Sequence, residues 1–246
     1  FFFLFNVFFQ LLTVFVVNKI INNAHFYQLS ELESKIILFS VSFFIIITQY
    51  IVTFYDASAY FFLLLSVYYI QDYLICKNLK TLLSLCLIVL VSTANRETAA
   101  LSLSFLLILL VKDRSLKYIQ NNWISILKDI GIPTMLFLLT YYSVRLFLKY
   151  NNASNGISVN EDVYLKQNFT QLNNILGILF SFITMYFIIS FSKSNKNKIV
   201  IKRFLFFSLP YILMVFFVGI LWEIRLFVPL FILSILLSQM KDYDLK

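Results

Sequence analysis

Charge is what this sequence has least of. Acidic and basic residues make up 13% of the chain, about half the roughly one quarter usual in soluble domains. With 61% hydrophobic residues and a mean hydropathy of +0.85, a water-soluble globule is excluded. The single histidine, His25, rules out a multi-histidine metal centre within the chain and reads as a solvated loop residue. Cys76 and Cys86 read as small buried thiols, not as a disulfide or a metal site. Four glycines and three prolines form no glycine-rich phosphate loop, and neither a zinc signature nor a Ser-His-Asp arrangement occurs.

What is present in their place is long apolar sequence. The runs are continuous and rich in Phe, Ile and Leu, without the apolar-out, polar-in alternation of a membrane barrel. The fold expected is therefore all-α, a polytopic transmembrane helical bundle forming a single domain over 1–246. The 29 Phe and 15 Tyr supply lipid-facing and packing surface, not a cofactor box.

The stretch Val91 to Ala99 decides how the runs are divided. Leu82 to Val111 is apolar apart from Arg96 and Glu97 and a few small polar residues, and as one straight helix it would extend about 45 Å across a bilayer core of roughly 30 Å. A charge near the midplane costs about 2.5–3.5 kcal/mol, so Asn95-Arg96-Glu97 reads as a turn between two short arms, Leu82–Ala94 and Thr98–Val111. About nine membrane segments follow: Phe1–Val17, Ile36–Phe54, Ala59–Ile75, these two arms, Asp129–Leu148, Phe169–Phe191, Phe204–Trp222 and Leu226–Met240. Gly131 and Pro133 fall in the opening of the sixth, where proline is tolerated, and Trp123 just before it reads as an interface anchor. Asp72 is placed at the water interface near Lys77. Polar loops run from Asn18 to Lys35, Lys112 to Lys128 and Lys149 to Asn168.

Nine alternating segments separate the charges by side. Arg96, Arg145, Lys149, Lys166 and Arg225 fall on one side, leaving fifteen of the 20 basic residues on the other, which the positive-inside rule assigns to the cytoplasm. A formal charge of +8 then needs no nucleic-acid partner. The chain opens at Phe1 with neither Met nor a basic flank, so it does not read as a signal peptide. An outward first residue leads to the expectation that N-terminal sequence precedes it.

Three tight, charged turns are thereby expected to face outward as short hairpin tips: Asp56 opening the third segment, Asn95-Arg96-Glu97 the fifth and Glu223-Ile224-Arg225 the ninth. Asp56 and Asn95 suit helix N-caps. Helix N-termini beside arginines suit a phosphate-bearing ligand, and the neighbouring carboxylates can act as base, bind hydroxyls or hold a divalent cation. Arg145 lies within a turn of the same face and can reach lipid phosphate. Asn168-Phe169-Thr170 matches a glycosylation sequon, a triplet that arises readily by chance in an Asn-rich chain.

Asn95-Arg96-Glu97-Thr98 at an outward break, with Glu223-Ile224-Arg225-Leu226-Phe227-Val228-Pro229 opening the last segment, resembles bacterial integral-membrane glycosyltransferases of the GT-C superfamily, which includes the polyprenyl-phosphate-sugar-dependent enzymes. The resemblance implies a lipid-phosphate sugar bound at the outer face and an acidic base in the first outer loop. No such loop exists here, so that base would lie in preceding sequence. Arg96 and Arg225, with Arg145, are then the phosphate contacts, and Glu97, Glu223 and Asp56 the catalytic or orienting acids. The partners implied are a polyprenyl-phosphate-linked sugar and membrane lipid, at a bacterial inner or plasma membrane. An O-antigen-type polysaccharide polymerase, or a non-catalytic transporter or flippase-like protein, is the alternative from the same sequence.

Overall fold

The computed structural model describes residues 2–47, 54–111, 116–154 and 164–241. Lys112, Asp113, Arg114 and the loop from Gly156 through Glu161 and Asp162 lie outside the described residues. Those described contain helices and no strand: α1 (Phe2–Ile21), α2 (Glu31–Ile47), α3 (Phe54–Cys76), α4 (Leu79–Asn95), α5 (Ala100–Val111), α6 (Leu116–Ser154), α7 (Leu165–Thr170), α8 (Leu172–Ser190), α9 (Asn195–Phe207), α10 (Leu209–Val218) and α11 (Val228–Ser238). Single 3-10 turns, Glu97–Ala99 and Ile224–Leu226, precede α5 and α11.

The count of nine membrane segments is corrected. Among the described residues four helices are long and apolar enough to cross a membrane: Phe3–Ile21, Asp56–Cys76, Asn121–Leu148 and Leu172–Ser190. A fifth is added if α9 and α10, bent by 53° at Ser208, form one broken span. Pro210 at the start of α10 suits that break, and Ser104 Oγ donates to the Phe207 carbonyl there at 3.1 Å. The remaining expected segments, α2, α4, α5 and α11, have 17, 17, 12 and 11 residues. The second expected segment also took in residues 48–53, which lie outside the described residues.

Of these short helices α5 and α11 are packed by their neighbours, whereas α2 and α4 keep exposed apolar faces, Phe39 and Ile46 on one and Leu83 and Leu87 on the other. In α11 every residue from Val228 to Ser238 is buried, against α2, α5, α8 and α9. By contrast α6 presents Ile132, Met135, Leu139, Tyr142 and Leu146 outward. Pro133 lies deep inside α6, and the non-helical residue is Asn122 (φ −116°, ψ 16°), which leaves a kink eleven residues earlier. Cys76 is exposed, contrary to the expectation of two buried thiols, while Cys86 is buried.

Helix direction is fixed by local caps and cross-helix contacts. Ser30 Oγ accepts from the Glu33 amide at 3.3 Å and the Glu33 carboxylate from the Ser30 amide at 2.6 Å, a reciprocal capping box opening α2. These bonds hold the Glu33 carboxyl below its usual pKa. Asn78 caps α4 and Ser194 caps α9. Phe9 meets Phe61 while Asn23 bonds Gln71, so α1 and α3 run in the same direction. Along α3, Asp56 and Lys77 are about 30 Å apart at the helical rise, close to the thickness of a bilayer core. The bundle therefore has two ends: one carries Asp56, the other Lys19, Lys77 and Lys193. At the second, Lys77 and Tyr73 both bond Asp129, at 3.0 and 2.7 Å, so Lys77 answers Asp129 and not Asp72.

Candidate functional site

The three charged breaks converge at the Asp56 end. Asp56 sits in the first turn of α3, where the helix dipole favours an anion. Its side chain is 1% exposed. One carboxylate oxygen accepts from Arg96 Nη1, and the other accepts from Arg225 Nη1 at 3.0 Å. Arg225 also turns Nε and Nη2 onto the Glu223 carboxylate at 3.0 and 2.8 Å. Among the described residues two guanidiniums and two carboxylates are thus linked in one network, in which Arg96 and Arg225 are 13% and 11% exposed. Burial works against the charged form of both arginines. Their neighbours together override it and raise both pKa values, Asp56 with Tyr60 and Tyr211 acting on Arg96, and Glu223 with Asp56 on Arg225.

Arg96 and Glu97, adjacent in sequence, take different partners. Arg96 closes α4 in an extended conformation (φ −162°, ψ 151°), which sends successive side chains to opposite faces. Glu97 accordingly accepts from Arg145 Nη2 of α6 at 2.8 Å, and Arg145 also covers the Tyr141 ring. This pair is open to solvent, at 36% and 46% exposure. All six residues singled out by charge are therefore at one end, in a buried network and an adjacent exposed pair. Asn95 is not the N-cap expected: it ends α4, and its Nδ2 donates to Ser58 Oγ of α3 at 3.2 Å.

Charge pattern does not reveal what holds the Arg225 turn. Tyr60 donates its hydroxyl to the Arg225 carbonyl at 3.2 Å and Tyr211 to the Leu226 carbonyl at 2.8 Å. Tyr60 lies four residues after Asp56, on the same helix face, which is the one available signal for it. Asn168 is fully buried. It donates to the carbonyls of Phe216 and Gly219 at 2.9 and 2.8 Å and accepts from the Leu221 amide at 3.2 Å. Its side-chain nitrogen is committed twice over, so the sequon is a structural staple, not a glycan acceptor. Asn174 accepts from the Trp222 amide at 3.0 Å.

Gly177 of α8 packs directly under this turn, where an added Cβ would stand 2.2 Å from the Leu221 carbonyl oxygen. Backbone cannot yield there as a flexible side chain would. Gly177→Ala should cost about 1–3 kcal/mol as an overpacking substitution and displace the turn carrying Glu223 and Arg225. Thermal unfolding in detergent measures the loss; an unchanged midpoint would show that the turn is not clamped against α8.

Among the described residues no group of three or more His, Cys, Asp or Glu is placed to hold a metal ion. Compared with known proteins, the chain matches no family model, no curated protein and no solved structure.

Proposed function

We propose that the chain is a membrane glycosyltransferase, moving a sugar from a polyprenyl-phosphate donor to an envelope polysaccharide, lipid or protein acceptor. The reaction is placed at the extracytoplasmic face of a bacterial inner or plasma membrane. The observation that carries the reading is the convergence of Asp56, Arg96 and Arg225, from three separate breaks in apolar sequence, beside the accessible Glu97–Arg145 pair. A buried pair of arginines is a costly arrangement, and it suits a ligand bearing phosphate.

In this reading burial and exposure suggest a division of roles. Asp56, shut from solvent and held by two guanidiniums, is out of reach of an acceptor hydroxyl and serves as a positioning residue. It offsets one of the two positive charges and aligns both forks. Glu223, 23% exposed, is the partner a donor phosphate can replace on Arg225. Glu97 is the accessible carboxylate and the assigned base. It takes the proton of an acceptor hydroxyl as that oxygen bonds the anomeric carbon, and the bond from that carbon to the phosphate oxygen breaks. The electron pair leaves on the phosphate, stabilised by Arg96 and Arg225. An apolar cavity of about 380 Å³ between α8, α9, α10 and α11, lined by Met185, Leu209 and Phe231 among others, reaches Phe227, two residues from Arg225. It offers room for part of a donor tail.

The test is transfer from radiolabelled polyprenyl-phosphate sugars in liposomes, scored by labelled acceptor and by release of polyprenyl phosphate. Failure of every donor in a preparation with an intact unfolding transition would end the reading. Orientation is tested separately. Tyr150, exposed beyond Arg145 on α6, and Cys76, exposed at the lysine end, mark opposite ends. In intact cells an impermeant maleimide should label Tyr150→Cys in a Cys76→Ser background, and should reach native Cys76 only after permeabilisation. The reverse pattern would put the site in the cytosol.

A further inference from the structure

Arg225 is held by its backbone as well as by its guanidinium, and the reason begins in the sequence. Val228-Pro229 opens α11, and Pro229 has no amide to donate back to the carbonyl four residues earlier, that of Arg225. The 3-10 turn Ile224–Leu226 has no side-chain cap at Glu223 either. Tyrosines from two other helices supply the donors. The Tyr60 hydroxyl of α3 donates to the Arg225 carbonyl at 3.2 Å, and the Tyr211 hydroxyl of α10 to the Leu226 carbonyl at 2.8 Å. Both tyrosines are buried.

One helix therefore grips Arg225 twice. Asp56 accepts from its Nη1 at 3.0 Å, and Tyr60, one turn further along the same face of α3, donates to its carbonyl. With both ends of the residue fixed, the staggered bonds between them keep few arrangements. The Tyr211 bond ties the next carbonyl to α10, whose Leu209, Ile212 and Phe216 line the apolar cavity beside Phe227. The earlier half of the turn hangs on Asn168 and Asn174, at Gly219, Leu221 and Trp222. The tyrosines thus govern the half that carries the arginine.

We propose, resting on the transferase reading above, that Tyr60 and Tyr211 are positioning residues for the arginine that meets the donor phosphate. Their hydroxyls fix the Arg225 backbone while Asp56 fixes its guanidinium. Removing either hydroxyl frees the fork to swing away from the phosphate, and neither tyrosine touches substrate itself.

Tyr60→Phe and Tyr211→Phe each remove one hydroxyl and keep the ring. Steady-state transfer in liposomes, with donor and acceptor varied in turn, is measured together with inhibition by polyprenyl phosphate, the product bearing the same phosphate. Each variant should lower kcat about 10- to 100-fold, as a misplacement of about 1 Å does. Each should also raise the inhibition constant of polyprenyl phosphate about tenfold, as one loosened charge-assisted bond would. The acceptor KM should not change, since Glu97 is carried by a different break. A fall in kcat with every KM and inhibition constant unaltered would mean a loss of folded protein only, and would overturn the assignment. Wild-type kinetics in both variants would overturn it too, leaving the transferase reading intact. If one variant does not fold, the other decides. A wild-type chain that transfers no sugar would remove both the transferase reading and these two roles.

Discussion

Asp56→Ala is expected to lower the stability of the folded chain by about 3–5 kcal/mol, because it removes the buried anion that two largely buried guanidiniums share, Arg225 keeping Glu223. For a chain of this length that corresponds to a fall in the unfolding midpoint of roughly 10 °C, read in detergent by thermal scanning. The loss should exceed that of removing any exposed charge, since Asp56 is 1% exposed and bonded to two helix-end arginines from distant parts of the sequence. Asp56→Asn keeps the shape and one acceptor but sets an amide against a guanidinium, and should lose a similar amount. Adding Arg96→Gln to Asp56→Asn should recover part of it, the coupling expected of groups in direct contact. A midpoint unmoved by Asp56→Ala would mean the network does not tie the three segments together.

The second large effect is on chemistry. Glu97→Gln should reduce sugar transfer by about 10²–10⁴-fold, the usual contribution of a positioned general base. It should cost little stability, because an ion pair this exposed contributes at most about 1 kcal/mol. Arg145→Gln, which removes the partner and leaves the carboxylate, should fold equally well and keep much more of the rate. The contrast with Asp56 separates a base from a structural clasp, since the two acids fail in different measurements. Full transfer by Glu97→Gln in liposomes would remove Glu97 from the mechanism and leave only the arginines of the proposed site.

Much of the site was legible because charge is so scarce. Arg96 and Glu97 interrupt an apolar run too long for one crossing, and Glu223 and Arg225 interrupt another, so their positions stood out against a silent background. Their pairings did not. Adjacency in sequence does not reveal that the extended backbone at Arg96 sends the Arg96 and Glu97 side chains to different helices, α3 and α6. Asn168 was legible as a triplet but not as a clamp, because its partners are backbone groups around 50 residues away. Tyr60 and Tyr211 are likewise ordinary apolar-run residues until the Arg225 turn is brought onto them.

Apolarity and the spacing of charges were enough to establish a helical membrane bundle with polar ends. They did not establish how many runs meet lipid. A leucine is equally content against an acyl chain or another leucine, so α11, wholly enclosed, and α6, largely outward-facing, look alike as strings of residues. Packing made that choice, and in bringing three distant breaks to one end it also chose which anion answers which cation.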